Sequence, residues 1–243
     1  MLKARVILLA LAVVFVVSAS ASAVAQAKGP VWHVNKKVLE SKEIDEITDG
    51  LAPGSSAKLV GTVAGLGVTI ICKTVMSHGE LIGGNPGKDK EEIRFTNCEL
   101  MGSPACVVTV APTHAVSELD HAVGGTEPKK ILVDFSAESG RLFTTITIAN
   151  KGTETCTTKI TNAEVKVATG ATYGVACETS PEEKEAEVNV LTCPETAIKE
   201  VEQGEQGQPK VAVGLEFAGK PATFSAIIDV KQVSHLPFGP FQT

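Results

Sequence analysis

Val211-Ala-Val213-Gly-Leu215-Glu-Phe217, a Gly219-Lys220-Pro221 break, then Phe224-Ser-Ala226-Ile-Ile228-Asp-Val230: this stretch near the C-terminus decides the fold class. Apolar side chains recur at every second position. In an extended chain successive side chains point to opposite faces, so such a run lays one face on a core. The glycine- and proline-bearing break between the runs reads as a hairpin connection. The same period occurs upstream. Ile131, Val133 and Phe135 alternate with Leu132, Asp134 and Ser136, and Ala163, Val165 and Val167 alternate with Glu164 and Lys166. Further strand-like runs, rich in Val, Ile and Thr, are Lys58–Val63, Val68–Thr74, Glu92–Cys98, Cys106–Val110 and Arg141–Ile148. Turn signals punctuate them at Gly83-Gly84-Asn85-Pro86-Gly87, at Gly124-Gly125 and at Gly204–Pro209. Many short strands with Gly/Pro turns predict an all-β fold, an antiparallel β-sandwich with little helix. Only Ser180-Pro181-Glu182-Glu183, with N-cap, N1 and N3 residues in place, and Pro194 to Gln203 offer short helices, a solvated acidic loop being the alternative.

The N-terminus reads as an export signal. Lys3 and Arg5 precede an unbroken apolar run, Val6 to Val17, and small residues follow up to Ala23-Val24-Ala25, which fits the A-x-A cleavage rule. The expected organisation is a signal peptide over 1–25 and an all-β mature region over 26–243, with Asn150-Lys151-Gly152 as the midpoint turn if the region comprises two related β-units. Cleavage removes Lys3 and Arg5, so a net charge of −6 becomes −8. An acidic chain lacks the basic face that nucleic acid requires, and no second long apolar segment would hold it in a membrane. Secretion is the expectation.

All six cysteines lie in the mature region: Cys72, Cys98, Cys106, Cys156, Cys177 and Cys193. An even count in an exported chain predicts three disulfides. Six cysteines allow 15 connectivities. Local turns favour Cys98–Cys106 across Gly102-Ser103-Pro104 and Cys156–Cys177 across a second loop, leaving Cys72 with Cys193. The two triplets lie 84, 79 and 87 residues apart, a spacing that a duplication or coincidence explains equally well.

No catalytic, cofactor or metal motif emerges. There is no G-x-S-x-G elbow, and Ser77-His78, adjacent on a strand, would face opposite ways. His114 and His121 flank Asp120 at a spacing wider than a zinc helix uses, and read as polar loop histidines. His33, His78 and His235 are dispersed singly. No phosphate-binding glycine motif appears, and the glycines of Gly61-Thr-Val-Ala-Gly65-Leu-Gly67 are expected to mark bulges or a strand crossing. Trp32 and Tyr173 are the sole Trp and Tyr beside eight Phe, too few for a sugar-stacking cleft, and Trp32 reads as a packing residue.

Several segments resemble a group of uncharacterised secreted β-rich proteins of soil actinobacteria. They are Trp32-His-Val34-Asn35, Val68-Thr-Ile-Ile-Cys72-Lys73, Phe95-Thr-Asn-Cys98 with Pro104-Ala-Cys106, and Ala222-Thr-Phe224 with Phe238-Gly-Pro-Phe241. This chain has Asn35-Lys36-Lys37 where a tight Asn-Gly turn is expected. The resemblance implies export, β structure and disulfides, and brings no activity, cofactor or partner. The leading expectation is a non-catalytic exported protein acting by binding a protein or cell-surface ligand, or as a surface or matrix component. Its contacts would be carried by the Gly83–Lys90 loop and the acidic Ser180–Glu187 segment. The alternatives are a secreted hydrolase built from dispersed His, Asp and Glu, and a secreted inhibitor.

Overall fold

A computed structural model describes residues 29–123, 130–180, 183–203 and 209–242. The signal-like segment 1–25, the Gly124-Gly125 turn and most of Gly204–Pro209 lie outside the described residues. The strands are β1 (Val31–Val34), β2 (Lys37–Val38), β3 (Ile44–Leu51), β4 (Ala57–Val63), β5 (Leu66–Ile82) and β6 (Lys88–Leu100). There follow β7 (Cys106–Val110), β8 (Thr113–Ala122), β9 (Ile131–Ala137), β10 (Leu142–Asn150), β11 (Ile160–Val167) and β12 (Val175–Ser180). The last are β13 (Val188–Cys193), β14 (Glu200–Glu202), β15 (Lys210–Ala212), β16 (Leu215–Phe217), β17 (Lys220–Gln232) and β18 (Phe238–Phe241).

The expected all-β antiparallel sandwich is present, and its edges join. The ladder runs β3–β5–β6–β8–β9–β12–β13–β17 and returns to β3, every neighbour antiparallel. Eight strands thus close into a barrel, which leaves these strands no open edge. The long strands β5 and β17 run on beyond the ring. There β4 bridges them, and β16, β11, β10 and β7 continue the sheet from β17. A separate sheet of β18, β1 and β2 covers one end, with Trp32 and Phe238 buried and their rings 6.3 Å apart. Strands from both sides of residue 150 join in one hydrogen-bonded ring, meeting at two seams, β9 against β12 and β3 against β17.

Local chemistry sets the hairpins. Ala64 and Gly65 both have positive φ, 51° and 82°, and close a two-residue turn between Val63 and Leu66. This mirror-image turn matches the strand twist, so the Gly61–Gly67 stretch is a hairpin rather than a bulge. Asn35 and Lys36, at φ 49° and 65°, make the same kind of turn between β1 and β2 without a glycine. Pro194 to Gln203 holds no helix; it is irregular and then enters β14. Of the other helix candidate, Pro181 and Glu182 fall outside the described residues, and 183–187 is nonhelical, tied to β18 by reciprocal Ala186–Phe238 backbone hydrogen bonds.

All six cysteines are bridged, but not as the turns suggested. The pairs are Cys72–Cys98, Cys106–Cys156 and Cys177–Cys193, in place of Cys98–Cys106, Cys156–Cys177 and Cys72–Cys193. The reason is register. The 26-residue separation of Cys72 and Cys98 is centred on Asn85 in the tight Gly83–Gly87 turn, so the β5–β6 hairpin sets them directly opposite. The β12–β13 register, Glu178 opposite Thr192, likewise aligns Cys177 with Cys193. After the Gly102 turn the chain pairs with β10 instead of returning along β6, and Cys106 lies opposite Asn150. Asn150 Oδ1 accepts a hydrogen bond from the Cys156 amide at 3.1 Å, which draws the third bridge together.

Candidate functional site

The barrel interior is divided between hydrocarbon and acid. Extending the phase of Ile93 and Phe95 backwards along β6 places Glu91 and Asp89 on the inner face, with Lys88, Lys90 and Arg94 outside. The expected Gly83–Lys90 surface loop is therefore corrected. Lys88-Asp89-Lys90 begins β6, and Gly83, Gly87 and Asp89 are buried. A Cβ on Gly83 would come 2.0 Å from Glu40 O, and one on Gly87 would come 2.7 Å from the Trp32 ring. Trp32 Nε1 donates to Lys88 O at 3.0 Å, so the indole seals this end of the barrel as a packing residue.

Beneath that seal, Asp49 on β3 lies opposite Ser77 on β5, and Asp89 on β6 lies opposite Ser117 on β8. Glu91 lies opposite Gly79, where a Cβ would come 2.6 Å from Glu91 Cγ; the missing side chain is what gives Glu91 its room. No lysine or arginine is buried among the described residues, so nothing neutralises these acids by ion pairing. Burial disfavours the charged form. It raises Asp49, lifts Asp89 to about 7 with the neighbouring Asp49 adding, and holds Glu91 well above the carboxylate range, Asp49 and Asp89 adding there. Glu91, so raised, keeps its proton. The space beside Asp89 and Glu91 is about 10 Å³, at the limit for a single water and too small for a substrate.

Beyond the acids the inner face turns apolar, where the ring gives way to β4 and to the extension of β16, β11, β10 and β7. Ile70, Ile93, Phe95, Phe135, Phe143 and Phe224 are among the residues around a cavity of about 110 Å³. Two threonines interrupt this lining. Thr144 Oγ1 donates to Ala111 O at 2.6 Å. Thr113, only 5% exposed, has no hydrogen-bond partner for its hydroxyl among the described residues.

A second acidic cluster sits on the outer face of the barrel. Asp134, expected on the solvent side of its strand, is 0% exposed. The alternation failed there because β14 and the chain around β15 cover β9 and β12, burying Leu132, Tyr173, Ala176 and Val201 in a small separate core. Asp134 lies opposite Glu118, and burial, with Asp120 adding, holds it well above the usual range. Burial also raises the Tyr173 hydroxyl, to which Gln203 Nε2 donates at 3.3 Å.

The histidines do not assemble. His114 and His121 lie on strand β8, not a loop, and seven residues apart they point to opposite faces. His114 is exposed, 3.9 Å from Glu138, whereas His121 is buried. Ser77 faces in and His78 out, as adjacent strand residues must. Among the described residues no group of three or more His, Cys, Asp or Glu is arranged to hold a metal ion, and no helix is long and apolar enough to cross a membrane. Three disulfides point to an oxidising compartment. No family model, curated protein or solved structure matches this chain.

Proposed function

We propose that this chain is an exported, non-catalytic binding protein that takes a small apolar molecule into the space between its barrel and the sheet that continues from it. The observation that carries this reading is the cavity of about 110 Å³ lined almost wholly by hydrocarbon and disulfide sulfur. At ~24 cal/mol per Å³, empty space of this size costs on the order of 2–3 kcal/mol in lost packing. Water cannot relieve that cost, because a buried water needs two to four polar partners and this lining does not supply them. A guest of hydrocarbon character does relieve it. The signal-like segment, the three bridges and the resemblance to exported β-rich actinobacterial proteins support an extracellular setting.

The test is a titration of the disulfide-intact protein with benzene and toluene by NMR, with xenon pressurisation of crystals as an independent readout. Saturable shifts of the Ile93, Phe135 and Phe224 signals are expected. At a tenfold excess over Kd the guest should stabilise the fold by about 1.4 kcal/mol. Absence of saturable binding together with absence of xenon in the cavity would overturn the reading.

A further inference from the structure

The Thr113 hydroxyl gives the cavity a chemical preference. It is buried, it lines the cavity, and it has no hydrogen-bond partner among the described residues. Leaving such a group unsatisfied is costly, because its desolvation is not repaid by a partner. Its neighbours cannot satisfy it. Thr113 lies opposite Ile93, and Ala115 is next on its own inner face. Thr144 is engaged with Ala111 O, two residues before Thr113 in the chain, and both threonines line the cavity. The remaining lining offers carbon and disulfide sulfur.

Resting on the binding function proposed above, we infer that the ligand is a neutral molecule with a compact apolar body and one hydroxyl or carbonyl group, which bonds to Thr113. The polar atom is single because the cavity has one unsatisfied hydroxyl. The ligand is uncharged because no lysine or arginine is buried among the described residues to meet an anion. The layer of Asp49, Asp89 and Glu91, next along the inner face from Ile93, supplies no positive charge either. Its body is of benzene size, since a cavity of ~150 Å³ accepts benzene and this one is somewhat smaller.

Phenol and toluene test this directly, being nearly the same shape and differing in one hydroxyl. The measured quantity is the ratio of their Kd values in the disulfide-intact protein, in Thr113→Val, which keeps the shape, and in Thr113→Ser, which keeps the hydroxyl. A hydrogen bond contributes a net ~0.5–1.5 kcal/mol, so the preference for phenol over toluene should fall about two- to thirteenfold in Thr113→Val and return in Thr113→Ser. Thr113→Ala serves as a second hydroxyl-free variant should the valine disturb folding, and thermal melting of every variant checks this. Toluene binding with a phenol-to-toluene ratio indifferent to the Thr113 hydroxyl would overturn this inference and leave the apolar-ligand function standing. Failure of both probes to bind the wild-type protein would overturn the function itself.

Discussion

Replacing Asp89 by asparagine should make the protein less sensitive to alkali. Asp89 is 4% exposed, and burial, with Asp49 adding, lifts its carboxyl from 3.8 to about 7. The sign follows from linkage: a carboxyl raised on folding contributes its full stability below the unfolded value, near pH 4, and loses it as pH rises through 7. A shift of about three units at ~1.36 kcal/mol each amounts to roughly 4 kcal/mol over that window. The asparagine side chain would be neutral throughout and of nearly the same shape. The assay is urea denaturation of wild type and Asp89→Asn between pH 4 and 8.5, read as the difference between the two proteins at each pH. Surface pairs such as Lys90 with Glu138 are common to both and drop out. The difference should move in favour of the variant by about 4 kcal/mol from pH 4 to pH 8, with most of the slope between pH 4 and 7. A difference that stays flat within about 1 kcal/mol would refute the buried, protonated Asp89.

Three further outcomes are expected. Proteolysis without reduction should release linked peptides for Cys72–Cys98, Cys106–Cys156 and Cys177–Cys193, and a Cys98–Cys106 peptide would contradict the register described above. Of the three, the Cys106–Cys156 bridge closes the longest separation, 50 residues, and its double serine variant should lose the most stability, about 4 kcal/mol by chain entropy. Deleting Gly83–Lys90 should abolish cooperative unfolding, because it removes the β5–β6 turn, buried Asp89 and the carbonyl that holds Trp32. A deletion variant that melts within a few degrees of wild type would restore the surface-loop reading.

Much of the strand pattern was legible because a half-buried strand writes its own period. Phe224 to Val230 alternates as β17, and Cys106–Val110 matches β7 to the residue. The Val211–Phe217 run alternates throughout, but the structure divides it at Val213 and Gly214 into β15 and β16. The interior acids were partly legible. Asp89 and Glu91 stand in phase with Ile93 and Phe95, a signal masked by the lysines on either side of Asp89. For Asp134 no such signal exists: its period points to solvent, and only the covering chain around β14 and β15 buries it.

Taken alone, the amino-acid sequence determined what depends on neighbouring residues: strands, from alternation; turns, from glycine, proline and asparagine; and the disulfide-forming character of six cysteines in a chain headed by an export-like segment. It also held the pairing of Cys72 with Cys98, since a hairpin register follows from where its turn lies. What only the tertiary structure decided depends on residues far apart in the chain. Closure of the ring rests on β13 meeting β17 and β17 meeting β3. The cavity is the space left where strands from across the chain fail to fill a common interior, and the orphaned Thr113 hydroxyl acquires meaning only from what surrounds it. Local periodicity carries no information on such distances, because the free energy that sets them is packing between elements and not the propensity within one.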